Sequence, residues 1–430
     1  MRSAARHPGR ERGEMSVSRR AFLTGLALPA LLAPGCRRSG SRQTTLRFWN
    51  GFTGPDGITM LRIVRRFNAQ NPDVNVLVQR TDWATYYNKL FVAGLFGRAP
   101  EVFVLHASNI LRFARARFLH PVDDLISGPD GLDSHDFDAN VWQEVEVDGR
   151  HYGVPLDVHI LGMYFNRQLF RQAGIQSPPA ERAGFLEALR RLTRHPAGGP
   201  DQWGFVFTNL SSNVYTVMRQ YGGAFFTEDF GRCVMNDARN VAALQFCVDL
   251  IRRERVAPPP ESFDAWVGFL QGKVATAFEG IYMLADLQKQ TELDFGGAPV
   301  PQIGPEPAVW ANSHTLCLRA GMSGAELQAA WRFVRYLSNN SLDWAAGGQI
   351  PVRKSLRQTA RFHAMPIQSA FARQIPYVSY LPRVTFTFEF QDELNTAIEK
   401  ALRGSASPQQ ALDTATANVN AVIARESKSV

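Results

Sequence analysis

Apolar residues follow two different periods along most of the chain. Residues 74–78 place valine at every second position, which is typical of a strand with one buried face, whereas residues 58–67 place apolar side chains on one face of a helix. Further strands are predicted over 46–50, 101–105 and 203–207, and further helices over 83–96, 182–194 and the segment with Val241, Leu244, Val248 and Ile251. Strands that alternate with helices predict an α/β fold with doubly wound, mostly parallel sheets, in which ligands lie beyond the carboxyl ends of the strands.

Residues 150–170 depart from this alternation. After a predicted turn at 148–149, the segment is extended and contains Pro155, which a buried central strand rarely accepts because proline lacks a ladder donor. A crossover between two lobes accepts a proline and also polar side chains, here Asp157 and His159. A carboxylate between apolar neighbours must find partners or face water. The segment therefore predicts a strand, a hinge and a second strand at the floor of an interlobe cleft.

The same stretch carries a family resemblance. Its motifs are Gly153-Val154-Pro155, then Met163-Tyr164-Phe165-Asn166, Leu169-Phe170 and Ala173-Gly174, followed by an F-x-x-G-K-x-A pattern over 269–275 and a G-x-W pattern in which Tyr282 replaces tryptophan. This ordered series runs from about residue 44 to the C-terminus. It resembles the extracellular solute-binding proteins of ABC importers, and most of all their maltose-type, sugar-binding branch.

The resemblance implies a two-lobed periplasmic-binding-protein fold, in which each lobe is a doubly wound, mostly parallel sheet and a multi-strand hinge joins the lobes. Proline-marked crossings are expected near Pro155, Pro299 and Pro351. The implied boundaries are 44–153 plus 298–347 for the N-terminal lobe and 154–297 plus 348–430 for the C-terminal lobe. The implied function is that of a monomer that binds a neutral carbohydrate or polyol between the lobes and delivers it to a membrane permease.

The first 43 residues read as an export signal and linker. Arg19-Arg20 precedes an apolar stretch over 21–34 that is too short for a permanent membrane helix, a pattern typical of a substrate of the twin-arginine export machinery. Cys36 follows a box that resembles a lipoprotein cleavage site, so Cys36 is predicted to carry a lipid anchor; an ordinary cleaved signal is the alternative. We expect a protein exported to the periplasm or cell surface, with Met15 as an alternative start.

The basic charge of the chain is concentrated in this leader. The net charge of +8 includes nine arginines and two glutamates within residues 1–43, so the remainder carries only about +1. A nearly neutral body argues against a nucleic-acid partner, which requires a basic surface. Cys233, Cys247 and Cys317 are odd in number and lack CxxC spacing, which favours buried free thiols over a disulfide framework or a zinc site.

Sugars present hydroxyls at their edges and apolar C–H faces, so a sugar site combines carboxylates or amides with aromatic platforms. Candidate carboxylates are Asp82 and Asp157, and the histidines His106, His159 and His314 could add hydrogen bonds. Candidate platforms are Phe52, Trp83, Tyr282, Trp310 and Trp344. The resemblance places sugar contacts in the loop with Phe52 and Thr53, at His106 and Ala107, at Asp157, at Gly222-Gly223 and at Tyr282.

Structural roles and other functions are the alternatives. Trp310 and Trp344 could be core residues, Trp83 a staple of its own helix, and His314 a buried strand residue. An enzyme could use Asp82 and Asp157 as a glycosidase acid and base, or a metal on His106, His159, His314 and Asp157, although no compact catalytic motif is present. The same fold could bind a polyol phosphate, a polyamine or a metal. We predict a carbohydrate-binding protein without catalytic residues, cofactor or bound metal.

Overall fold

The computed structural model describes residues 43–197, 201–260 and 264–427. Its strands are β1 (Thr44–Asn50), β2 (Val74–Arg80), β3 (Val102–His106), β4 (Glu146–Val147), β5 (Arg150–His151), β6 (Val154–Pro155), β7 (His159–Asn166), β8 (Trp203–Phe207), β9 (Val274–Gly280), β10 (Phe295–Ala298), β11 (Val309–Asn312), β12 (His314–Leu318) and β13 (Val378–Ser379).

The helices surround these strands. They are α1 (Pro55–Gln70), α2 (Trp83–Leu95), α3 (Ile110–Arg115), α4 (Asp123–Ile126), α5 (Ala139–Trp142), α6 (Arg167–Gln172), α7 (Arg182–Leu192), α8 (Leu210–Gln220), α9 (Ala238–Arg252), α10 (Ala265–Leu270), α11 (Leu284–Leu287), α12 (Gly324–Asn339), α13 (Ser341–Trp344), α14 (Lys354–Arg357), α15 (Ala360–His363), α16 (Pro366–Ala372), α17 (Thr387–Arg403) and α18 (Pro408–Glu426). The strands and helices predicted with both ends stated agree with these bounds to within about two residues.

The first sheet forms the core of one lobe. Its strand order is β2-β1-β3-β12-β6. β1 pairs in parallel with both β2 and β3, as successive β-α-β units require, while β12 runs antiparallel to β3. α1 packs against β2, and α12 packs against β1. The antiparallel register sets His106, the last residue of β3, directly opposite His314, the first residue of β12.

The second sheet forms the core of the other lobe. Its order is β13-β11-β7-β9-β8, and β10 pairs with the end of β7. β7 lies at the centre, antiparallel to β9, β10 and β11. Residues 159–164 of β7 are all buried, because neighbouring strands and α16 enclose them. A strand buried on both faces has a continuous apolar run rather than an alternating one.

In the described part of the chain, three segments connect the lobes side by side. Residues 156–158 join β6 to β7, Ser313 joins β11 to β12, and residues 349–351 lead from α13 toward α14. In the first segment, Leu156 N donates at 2.8 Å to the carbonyl of His314, the residue after Ser313, and Val158 N donates at 2.9 Å to the carbonyl of Ile350 in the third segment. The predicted multi-strand hinge is therefore present, and Pro155 and Pro351 stand at two of its crossings.

The third predicted crossing, near Pro299, is wrong. β10 and β11 both pair with β7, so the chain stays in the second lobe until Ser313. The proline-marked segment between them is a loop held on α8 by one buried side chain. Gln220 donates to the carbonyls of Pro301 and Ala308 at 3.1 and 3.0 Å and accepts from the amide of Ile303 at 2.7 Å.

Two helix predictions also need correction. Ile58 was expected on the inward face of α1, yet it is 66% exposed, since the buried face consists of Met60, Ile63, Val64 and Phe67. Ser323 precedes α12 without the predicted capping box, because its side chain makes no cap hydrogen bond. Glu326, the expected partner, instead accepts from Arg319 at 3.2 Å.

The C-terminal helices pack on helices that flank the second sheet. α17 packs against α8 and α9, and α18 packs against α9 and α17. The capping box that opens α18, formed by Ser407 and Gln410, is confirmed. Cys233, Cys247 and Cys317 are buried free thiols. Within the described residues, no helix combines the length and apolar character that crossing a membrane requires, and Cys36 lies outside those residues.

Candidate functional site

Three histidines meet where the two sheets adjoin. His106 ends β3 and His314 begins β12 in the first sheet, while His159 begins β7 in the second. One ring nitrogen of each lies within 4.8 Å of those of the other two. The register explains this meeting, because His159 pairs with Asn312, two residues before His314.

Asp157 lies beneath the histidines and is fully buried. Its Oδ1 accepts from the His314 amide at 3.1 Å and lies 3.3 Å from His159 Nδ1. Its Oδ2 lies 2.8 Å from His314 Nδ1 and accepts from Trp344 Nε1 at 2.6 Å. Burial alone would raise the pKa of Asp157, but His314 and His159 outweigh it and hold the pKa well below its usual value. The buried carboxylate is therefore ionised.

This environment corrects the expected role of Asp157. The prediction placed its carboxylate at the surface of the cleft, in reach of ligand hydroxyls. In the structure it is absent from the lining of the cavity, and both of its oxygens already have two partners within the protein. A carboxylate in an apolar environment needs such partners, and here the imidazoles and an indole provide them. Asp157 positions His159 and His314.

Burial keeps two of the imidazoles neutral at physiological pH. It lowers the pKa of His159 to about 4 and the pKa of His106 well below its usual value, and His314 lowers both further. His106 Nδ1 lies 2.5 Å from the hydroxyl oxygen of Tyr87, which also accepts from the His106 amide at 3.1 Å. Each of the three Nδ1 atoms thus has a fixed partner.

A cavity of about 340 Å³ opens above the cluster. Its lining comes from both lobes: the loop after β1, the start of α2 and the end of β3 on one side, and β7, β11 and the turn after β9 on the other. The lining residues are Gly51, Thr53, Gly54, Pro55, Asp56, Trp83, His106, His159, Tyr282, Met283, Asp286, Trp310, His314 and Gln349. Seven of the residues predicted to bind ligand are among them, namely Thr53, Trp83, His106, His159, Tyr282, Trp310 and His314.

Three half-buried aromatic rings wall this cavity. Trp83 comes from the first lobe, and Tyr282 and Trp310 come from the second. The Trp83 ring lies nearly parallel to that of His314, at 14° and 5.7 Å between centroids. It lies so close to Gly51 that a Cβ there would be 2.1 Å from its indole atoms. Because Gly51 has no side chain, the Trp83 ring can pack directly against the backbone at the cavity wall.

Three polar lining residues escaped the sequence analysis. Asp56 lies in the first turn of α1, Asp286 in α11 and Gln349 in the third connecting segment. Gln349 is fully buried, yet neither of its amide atoms has a hydrogen-bond partner within the described residues. Buried amides normally have partners, so Gln349 points to a ligand. Its only signal in the sequence was its place beside Pro351.

Besides Asp157 and Ala107, five predicted site residues lie outside the cavity lining. Phe52 is buried and packs its ring at 4.8 Å from His314 and 4.7 Å from Trp344, which is also core. Asp82 caps α2 by accepting from Ala84 N at 2.9 Å. Gly222, with a φ of +74°, and Gly223 form the turn that ends α8. Phe52 and Trp344 thus belong to the core. Asp82, Gly222 and Gly223 serve helix ends, which require caps and left-handed turns.

Known proteins resemble the whole described chain. The family model for bacterial extracellular solute-binding protein matches residues 53–341. A putative binding protein of Brucella abortus is 22% identical over 94% of this chain and 97% of its own length. The maltotriose-binding protein of Pyrococcus abyssi is 22% identical over 75% of this chain and 69% of its own length.

Solved structures share the fold. An ABC substrate-binding protein of Listeria monocytogenes in complex with cycloalternan gives a TM-score of 0.78 at 22% identity, covering 89% of this chain and 99% of that one. The sugar-binding protein MalE of Xanthomonas citri gives 0.78 at 23% identity, with 89% and 98% covered. These likenesses confirm the predicted two-lobed α/β fold. Because the family model spans more than half of the chain, the protein belongs to the bacterial extracellular solute-binding proteins.

Proposed function

We propose that the protein binds a neutral carbohydrate, mono- or oligosaccharide, or a polyol in the interlobe cavity and delivers it to the membrane permease of an ABC importer. The observation that carries this proposal is the combination, in one cavity, of aromatic walls from both lobes with the buried Gln349 amide, which has no hydrogen-bond partner within the described residues. Relatives named for maltotriose and for arabinooligosaccharides support a carbohydrate ligand.

The aromatic walls suit a sugar ring. Trp83 and Trp310 enter the cavity from different lobes, and their faces can cover the C–H faces of a pyranose. Gln349, Asp56 and Asp286 offer amide and carboxylate groups to its hydroxyls. The volume of about 340 Å³ is at the small end of ligand sites and favours a short ligand.

The charge of the lining argues against a phosphate ester. A relative in Shigella dysenteriae is named as an sn-glycerol-3-phosphate-binding protein. Among the described residues, however, the cavity lining includes Asp56 and Asp286 but neither lysine nor arginine. The N-terminus of α1 also faces this region, but Asp56 Oδ1 already accepts from Gly57 N at 2.6 Å. The usual means of binding a phosphate group are therefore missing from this lining.

A transport role, rather than catalysis, fits the same residues. The glycosidase pair considered from the sequence does not form, because Asp157 is buried and fully bonded while Asp82 caps a helix outside the cavity. Contacts from both lobes exist together only when the cleft is closed, so ligand binding shifts the protein toward that state. We expect a monomeric binding protein, exported through the twin-arginine route and anchored through Cys36.

Calorimetry on ligand-free protein tests the proposal. Neutral mono- and oligosaccharides, polyols and their phosphate esters are titrated in turn, and the mixtures are analysed for hydrolysis products. We expect one neutral ligand class to bind without turnover. Trp310→Ala should weaken binding about tenfold or more, because it removes a stacking face. Trp203→Ala removes a half-buried indole outside the cavity and serves as the control. Binding of phosphate esters alone, or hydrolysis of the sugar, would overturn the proposal.

A further inference from the structure

We propose that His106, His159 and His314 form a binding site for a divalent transition-metal ion of the zinc class at the floor of the cavity. Three imidazoles would hold the ion, and the fourth position would face the cavity. The proposal replaces the expectation that the protein has no metal site. It does not depend on the identity of the transported solute.

Distances between the rings favour this site. In a tetrahedral site, zinc–nitrogen bonds of about 2.0–2.1 Å set the ligating nitrogens roughly 3.4 Å apart. The three ring nitrogens already lie within 4.8 Å of one another, so no pair must approach by more than about 1.4 Å. Strand pairing rather than a mobile loop sets this geometry, since His106 opposes His314 and His159 begins the adjoining central strand.

The second observation is that the Nδ1 atom of each histidine already has a partner in the protein. Asp157 contacts Nδ1 of both His159 and His314, at 3.3 and 2.8 Å, and the Tyr87 hydroxyl oxygen contacts Nδ1 of His106 at 2.5 Å. A proton on each Nδ1 then leaves Nε2 free to bind a metal. Within the described residues, none of the three Nε2 atoms makes a hydrogen bond. Metal-bound histidines typically have such carboxylate or oxygen partners, which fix the tautomer and the ring orientation.

The charge around the cluster also favours a cation. The Asp157 carboxyl group lies fully buried beneath the imidazoles, and Asp56 lines the cavity above them, as does Asp286, which pairs with Lys289 Nζ at 2.7 Å. No lysine or arginine of the described chain lines this cavity. Carboxyl groups beside three imidazoles suit a divalent transition-metal ion, for which imidazole is a preferred ligand.

An ion bound at this position would have ligands from both lobes. His106 and His314 belong to the first sheet and His159 to the second, so one ion would connect the two lobes at the hinge. Three protein ligands leave an open coordination position, as in sites that bind water or a ligand oxygen. A hydroxyl pair or a carboxylate of a solute in the cavity could occupy that position.

Zinc titration tests this inference independently of sugar binding. The purified protein is stripped with EDTA, dialysed and titrated with zinc chloride by calorimetry, and cobalt chloride is added to a second sample to record the absorption bands of tetrahedral Co²⁺. We expect one ion per chain. His106→Gln and His159→Gln should each lower zinc affinity at least about 100-fold, and Asp157→Asn should lower it about 10- to 100-fold through its effect on ring orientation. His135→Ala changes an exposed histidine and should leave it unaltered.

Circular dichroism and a melting curve establish that each variant is folded. If the parent protein binds neither zinc nor cobalt, or if both histidine variants bind zinc as the parent does, the inference is wrong. Sugar titrations are repeated with and without EDTA. Loss of zinc binding with retained sugar binding would leave the proposed transport function intact, so the two proposals can fail separately.

Discussion

The indole of Trp344 donates a 2.6 Å hydrogen bond to the carboxylate of Asp157, and both side chains are fully buried. Hydrogen bonds to buried charged groups contribute about 1.5–3 kcal/mol to stability. Trp344→Phe retains an aromatic ring but removes this donor, so we expect the free energy of unfolding to fall by about that amount. Urea denaturation provides the measurement.

Trp331 offers a matched control, because its buried indole donates at 3.0 Å to the neutral carbonyl of Asp130. Trp331→Phe should cost about 0.5–1.5 kcal/mol. Equal losses in the two variants would mean that the charge of Asp157 adds nothing to the Trp344 bond.

Glu144 should make stability depend on pH near neutrality. Burial raises the pKa of its carboxyl group to about 7 from 4.5, against the lowering effect of Arg383, and Oε2 is buried without a partner. Between these pH values the folded protein keeps a proton that the unfolded chain has lost. Stability therefore falls as the pH rises from 4.5 to 7, by at most about 3 kcal/mol.

Glu144→Gln removes this dependence because glutamine cannot ionise. The variant should gain stability relative to the parent as the pH is raised from about 5 to 8. Denaturation at several pH values measures the difference, and parallel curves for the two proteins would contradict the assignment.

Gly51→Ala should weaken ligand binding without unfolding the protein. The added methyl group would lie 2.1 Å from the Trp83 indole, so the ring must leave its place on the cavity wall. We expect about a tenfold loss of sugar affinity. Gly184→Ala, in α7 and outside the cavity lining, meets only Pro179 Cβ at 3.6 Å and is the control. Calorimetry measures affinity, and unchanged binding in Gly51→Ala would show that Trp83 makes no contact with the ligand.

Ligand should close the cleft by motion at the three connecting segments. Small-angle scattering with saturating ligand should give a smaller radius of gyration than scattering without it. The same scattering curve in both conditions, with binding established by calorimetry, would exclude closure.

The predicted export signal and lipidation site lie outside the described residues. Replacing Arg19 and Arg20 with lysine should leave the precursor in the cytoplasm, because both arginines define the predicted signal. Cys36→Ser should release the exported protein from the membrane. Cell fractionation measures both outcomes, and unchanged location in either variant would contradict that part of the signal assignment.

Sequence periodicity predicted the strands and most helix bounds, because a helix or strand with one buried face shows a regular spacing of apolar residues in its own sequence. His106 could also be assigned to the cleft, because it ends a strand and parallel strands bring their carboxyl ends together, and His159 could be assigned there because it lies in the predicted hinge segment. The sequence could not predict that the Asp157 side chain points into the core, because Trp344, whose indole donates to it, is distant in sequence. Gln349 gave no signal beyond its place near Pro351, and the late return at Ser313 depends on pairing with β7.

The packing of α17 and α18 on α8 and α9 sets the order in which the chain can fold. These helices are the last part of the described chain to be synthesised, and they cover apolar faces made much earlier. Non-local contacts of this kind close slowly and leave apolar surface open in the meantime. The second lobe therefore completes its core only after residues 387–426 have been synthesised, and the apolar faces that they cover stay open until then.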